Sequence, residues 1–182
     1  MDPRILKLCS AVIALAANSA LATDITIMPV GDSITAGFSS QLSFREELNN
    51  RLAASGCTFI SRGSDGRLRS GEFDDDFRAG FETAGPHAGY SGHRADDFVN
   101  GLVRNSDGTV LTPRIDTLLD DDFAENGSYP EVLLLNLGTN DVLSGLDHGF
   151  PEDDIVKSTL NEIAQLISTI HGRDPNISCY RV

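Results

Sequence analysis

The apolar positions change period several times along the chain, and each change predicts an element. Asp24-Ile25-Thr26-Ile27-Met28-Pro29-Val30 is β-branched and apolar and stops at Gly31. A short apolar run closed by a glycine turn predicts a buried strand. From Gln41 to Ala54, the residues Leu42, Phe44, Leu48, Leu52 and Ala53 recur near helical spacing, which puts Arg45, Glu46, Asn49 and Asn50 on an opposite polar side. Ser55-Gly56 ends that helix, and Thr58-Phe59-Ile60-Ser61 predicts a second short strand. Arg62 to Gly92 is Gly-rich, acidic and aperiodic. Structureless stretches of that length are uncommon inside a compact domain and are more often functional or disordered. Arg94 to Val103 and Pro113 to Leu119 predict helices, Pro113 suiting a first turn. Glu131-Val132-Leu133-Leu134-Leu135-Asn136-Leu137 is apolar on both faces, as a central parallel strand must be. Ile155, Val156, Leu160, Ile163, Leu166, Ile167 and Ile170 then mark a helix over Glu152 to Ile170.

This alternation of strand and helix predicts an α/β sandwich around a parallel sheet. No repeat or low-complexity linker divides the chain, and 182 residues make about one domain at roughly 100–200 residues each. Residues 1–22 stand apart from it. Arg4 and Lys7 precede an apolar run from Leu8 to Ala17, and Ala20-Leu21-Ala22 supplies a small-x-small cleavage pattern. That is the grammar of a secretory signal peptide, with Thr23 as the mature N-terminus and residues 23–182 as the domain. The apolar run is too short for a hydrocarbon core that needs about 20 residues. Secretion is therefore expected, extracellular or periplasmic.

Composition narrows the partners. With 40% hydrophobic and 23% charged residues, the chain is no disordered tail, collagen or disulfide-dense miniprotein. Its net charge of −13 offers no basic footprint for nucleic acid and repels anionic lipid. Neither partner is expected, and a neutral or weakly polar substrate fits better than an anionic one. Beyond the signal segment Cys57 and Cys179 remain; they could pair in an oxidising compartment or serve as separate small hydrophobes.

The candidate chemistry sits at two strand ends. In open parallel sheets, ligands bind beyond the carboxyl ends of the strands. Gly31-Asp32-Ser33-Ile34-Thr35 follows the first strand and Gly138-Thr139-Asn140-Asp141 follows the third. If these strands are neighbours, Ser33 and Asn140 lie side by side, a hydroxyl nucleophile next to an amide donor, as acyl transfer requires. The plainer reading is that both residues cap the following helices, since Ser and Asn favour such turns.

Gly31 to Thr35 and Gly138 to Asp141 resemble the first and third blocks of the SGNH (GDSL-type) hydrolase superfamily, and His87-Ala88-Gly89-Tyr90-Ser91-Gly92-His93 resembles its second. The surroundings, Ile27 to Val30 and Pro130 to Leu134, are most similar to secreted carbohydrate esterases of the acetyl-xylan type. The resemblance covers roughly residues 24–170. It implies a three-layer α/β/α sandwich with a flavodoxin-like parallel sheet, and an ester hydrolase that needs no cofactor or metal. Its substrate would be a carbohydrate or other small-molecule ester, with acetyl or similar groups removed through a Ser33 acyl-enzyme. By the same resemblance the Ser33 N–H, the Gly92 N–H and the Asn140 amide form the oxyanion hole, Asp32 and Asp141 support the site, and the three blocks converge on one pocket. A lipase-like or general carboxylesterase of the same superfamily is the alternative acyl chemistry.

The family's general base is a histidine in a later Asp-x-x-His block, and no Asp-x-x-His occurs in these 182 residues. Asn176 to Val182 falls where a fourth strand begins and is more polar than a buried strand should be. The expectation is a C-terminally truncated domain with an exposed strand edge and poor solubility, so the general base is unassigned, and an inactive or binding form is a further alternative. A base must come within about 2.6–3.2 Å of the serine. Spacing places none of His87, His93, His148 or His171 there, so all four are read as exposed. Rival motifs fail: Gly31 to Gly37 has no Lys and is no Walker loop, and Gly89 to His93 misses the Gly-x-Ser-x-Gly elbow by one position. Asp74-Asp75-Asp76 and Asp120-Asp121-Asp122 lack the alternating spacing of a calcium loop and read as solvated acidic loops. Asn126-Gly127-Ser128 and Asn176-Ile177-Ser178 are glycosylation sequons.

Overall fold

The computed structural model describes residues 24–37, 44–63, 85–104 and 109–182. The signal segment, Leu42, Asp74 to Asp76 and most of the Arg62–Gly92 stretch lie outside the described residues.

Strand β1 (Asp24–Gly31) is the centre of the sheet. The first half of one edge pairs in parallel with β2 (Thr58–Ser61), Ile25 opposite Phe59, and the second half with β3 (Ala88–Gly89), Val30 opposite Ala88. Its other edge pairs with β6 (Val132–Asn136), Gly31 opposite Asn136, and β6 pairs with β7 (Ser178–Arg181). All these pairings are parallel, so the carboxyl ends of β1, β3 and β6 meet at one edge. Strands β4 (Leu102–Arg104) and β5 (Thr109–Thr112) form a separate antiparallel ribbon.

Period-two alternation explains the layers. Ile27, Val132 and Leu134 face one side, where Leu48 and Leu52 of α2 (Phe44–Ala54) cover them. Met28, Val30, Leu133 and Leu135 face the other side. There they meet Phe98 of α3 (Ala95–Asn100), Ile115, Leu118 and Leu119 of α4 (Ile115–Asn126), and Leu166 and Ile170 of α6 (Glu152–Arg173). The fold is an α/β/α sandwich with a parallel sheet. The same layering answers the cysteine question: Cys57 packs with the α2 face and Cys179 against the other, so the sheet separates two free thiols.

Several boundaries differ from the periodicity. The helix begun at Arg94 stops at Asn100, because Gly101 turns to φ 76° and sends Leu102 and Val103 into the ribbon. The helix expected over Pro113 to Leu119 begins at Ile115 and continues to Asn126, ending where Gly127 at φ 74° returns its N–H to the Phe123 carbonyl. Asp120 to Asp122 are therefore helical rather than a solvated loop. Asp122 is buried against Arg62, with Nη1 donating to its carboxylate at 3.2 Å, because the α4 face that carries Leu118 and Leu119 turns inward.

Candidate active site

The first block leaves β1 at Gly31, where an added Cβ would collide with the Asn136 carbonyl. Asp32 then caps a four-residue helix, α1 (Ser33–Ala36), accepting the Ile34 N–H at 2.9 Å. Ser33 is the first residue of that turn. Asp32 is almost wholly buried (1% exposed), and burial pushes its carboxyl above the ordinary aspartate range. The Ile34 and its own backbone N–H groups oppose the rise, and the charge of Asp141 adds to it.

The second block contains β3 and leaves it through a tight turn, in which the His93 N–H donates to the Tyr90 carbonyl at 3.2 Å and the Tyr90 N–H to the Gly31 carbonyl at 2.8 Å. Gly92 stands at φ 77°, a left-handed position that glycine occupies without a Cβ penalty. The third block opens α5 (Thr139–Asp147), whose cap is Gly138 at φ 112° and makes no side-chain cap bond.

The capping alternative therefore fails at both positions: Asp32 and Gly138 hold the cap sites, leaving the Ser33 and Asn140 side chains outside that role. Asn140 instead joins the three blocks. Its amide donates to the His93 carbonyl at 2.9 Å and lies 3.5 Å from the Asp32 carboxylate. The second distance is too long for a strong bond, so one amide hydrogen is held and the other is only weakly engaged. Asp141 accepts the Ala95 N–H with both carboxylate oxygens at 3.1 Å, fixing α3 behind the glycine turn.

The four histidines divide. His87 and His93 are buried, at 2% and 0% exposed, which corrects the expectation that they are exposed. His87 immediately precedes β3, which packs against α1, and His93 lies in the turn that follows it. His87 Nδ1 accepts the Gly89 N–H at 2.9 Å, and burial, with the Arg45 charge second, pushes its pKa down to about 3. His93 Nδ1 contacts the Ser91 carbonyl at 3.0 Å. His148 and His171 are exposed, with ring nitrogens 2.7 Å from the Ser144 carbonyl and 3.2 Å from the Ile177 carbonyl. None of these bonds reaches Ser33.

Arg45 corrects a second expectation. It is not on a polar outer face; it is fully buried beneath α1, a role that helical periodicity cannot show. A cleft of about 370 Å³ lies beside the blocks, lined by Arg94, Asp141, Phe150 and Glu162 among others, but not by Ser33. Among the described residues no group of three or more His, Cys, Asp or Glu side chains is placed to hold a metal ion. Nor is any described helix long and apolar enough to cross a membrane.

The chain is similar to a multidomain esterase of Ruminococcus flavefaciens, 31% identical over 136 residues, which is 70% of this chain and 16% of the relative. The chain thus spans a small part of that protein's length. No solved structure matches the chain. Residues 27–179 match the GDSL-like lipase/acylhydrolase family, and with the three blocks gathered at one sheet edge, the chain belongs to that family.

Proposed function

We propose that the chain is a secreted serine esterase that removes acetyl or similar acyl groups from carbohydrate. The observation that carries this reading is the Asn140 amide reaching both the residue before Ser33 and the residue after Gly92. The Ser33 oxygen attacks the ester carbonyl, the carbon–oxygen bond to the alcohol breaks, and water later releases the acid from Ser33. The Ser33 N–H, the Gly92 N–H and the weakly engaged Asn140 hydrogen stabilise the oxyanion in both steps. The proton of Ser33 goes to a base and then to the leaving alkoxide, and no described residue is assigned that role. Family membership and the esterase relative support the reaction class. The sugar part rests on the resemblance of Ile27 to Val30 and Pro130 to Leu134, the segments before two of the blocks, and on a charge of −13, which disfavours anionic substrates. Secretion rests on residues 1–22.

The experiment is labelling with a fluorophosphonate followed by peptide mapping. In a form that carries the general base, an adduct confined to Ser33 is expected, and fast labelling elsewhere, or none, would reject the reading. In a form that carries its general base, Asn140→Ala should lower kcat by about 10²–10³, as removing one oxyanion donor does. Its melting temperature should hold, because Gly138 rather than Asn140 caps α5. An unchanged kcat would take Asn140 out of the oxyanion hole.

One observation favours the second, lipase-like reading. Ile34, next to Ser33, is 50% exposed, and Leu143, Leu146 and Phe150 beyond Asn140 are 56%, 48% and 59% exposed. These apolar groups suit a longer acyl chain. A series of p-nitrophenyl esters separates the two: kcat/KM highest for acetate supports the carbohydrate deacetylase, and a maximum at octanoate supports the lipase-like enzyme.

A further inference from the structure

A guanidinium without water around it must have acceptors on all sides, or it is costly to bury. Arg45, the second residue of α2, is 0% exposed. Its Nε donates to the Thr35 carbonyl at 2.8 Å and its Nη2 to the Ala36 carbonyl at 2.8 Å. Its Nη1 donates to the Gly85 carbonyl at 2.7 Å. Thr35 and Ala36 end the turn that Ser33 begins. Their carbonyls are among those a helix leaves without internal partners, and a cation there suits the negative end of the turn. Four residues do not hold a helical turn by themselves, so this one depends on Asp32 at its start and Arg45 at its end. Gly85 lies on the other segment, the approach to β3 and the Gly92 turn. Those two segments also touch directly: a Cβ on Gly89 would come within 2.6 Å of the Ala36 nitrogen. Burial lowers the Arg45 pKa only to about 10, so the side chain stays charged at neutral pH.

We propose that Arg45 is a positioning residue, whose rigid fork sets the Ser33 turn against the segment that carries Gly92. It thereby fixes the nucleophile relative to an oxyanion donor. The proposal rests on the reading of Ser33 as nucleophile. It predicts an effect on the chemical step rather than on substrate binding. Lysine keeps the charge but is a point donor, unable to span carbonyls on two segments at once.

The test uses the full chain with Arg45→Lys, and Arg45→Met in parallel. Active serines are titrated with a fluorophosphonate, and kcat is expressed per titrated serine with p-nitrophenyl acetate. In Arg45→Lys, kcat per titrated serine should fall about 10²-fold, the cost of a displacement near 1 Å, while KM stays unchanged. A purely structural arginine would give fewer titratable serines, each with wild-type kcat, and that result would overturn the proposal. So would a raised KM with kcat intact. If Arg45→Met does not fold, Arg45→Lys decides alone. Amide exchange supplies a readout independent of turnover. Exchange should quicken together in residues 35–37 and 87–92 of Arg45→Lys, and acceleration in only one segment would refute the tether. Full turnover in Ser33→Ala would instead reject the nucleophile reading, and exchange would still decide the tether.

Discussion

In a form that carries its general base, Ser33→Ala is expected to lower kcat by about 10⁶-fold, the loss that follows deletion of a serine nucleophile in a hydrolase. The substitution removes only Oγ. The turn around it is held by other groups: the Thr35 and Ala36 N–H groups donate to the Asp32 carbonyl at 3.1 and 3.0 Å, and the Gly37 N–H donates to the Ser33 carbonyl at 2.9 Å. Asp32 and Arg45 hold its two ends. Alanine is also a good helix former, so the melting temperature should not fall. The backbone donors at Ser33 and Gly92 survive, and residual catalysis of about 10³–10⁴ over water is expected from such a site. Turnover of an activated acetate ester, measured beside a thermal melt, checks this. Wild-type turnover at an unchanged melting temperature would remove Ser33 from the chemistry.

The second large effect is acid lability centred on His87. In the folded protein its imidazole is neutral, with a pKa near 3, whereas in the unfolded chain it returns to the ordinary value of 6.5. Below 6.5 the unfolded chain takes up a proton that the folded one refuses. The stabilisation is therefore complete above pH 6.5 and is lost as pH falls toward 3. The loss is about 1.4 kcal/mol per pH unit, or about 2 kcal/mol at pH 5. Against a total stability of about 5–15 kcal/mol, that is a substantial share. Asp32, Asp122 and Glu162 act in the opposite sense. Burial raises their carboxyl pKa values, so their contribution is full below the ordinary carboxylate range and is lost as pH rises through the raised values. His87→Gln isolates the effect, because the glutamine oxygen can accept the Gly89 N–H and does not titrate. Urea melts from pH 7.5 to 4.5 should show wild-type stability falling with acid, and the variant flat or gaining. Parallel curves for the two proteins would rule out His87 as the source.

Much of this molecule was legible in the order of its residues. The run Ile25 to Val30 could only be a buried strand, and Val132 to Leu135, apolar without alternation, could only lie between two helical layers. Gly31-Asp32-Ser33 and Gly138-Thr139-Asn140-Asp141 each come directly after such a strand, and the parallel pairing of β1 with β6, Gly31 opposite Asn136, brings the two blocks to one sheet edge. Strand period and turn chemistry are local properties, so sequence carries them. What the sequence could not carry is which polar side chains end up inside. Arg45 reads as the outer face of an amphipathic helix and His87 as a loop histidine, yet both are buried, because α2 and the β3 segment close on the Thr35–Ala36 end of α1. Asp122 sits in an acidic run that reads as solvent-facing, yet it turns inward on the α4 face that carries Leu118 and Leu119, and Arg62, 60 residues away in the chain, supplies its counter-charge. The burial of a charged group depends on acceptors or counter-charges supplied by distant segments. Only the tertiary structure decides where those arrive.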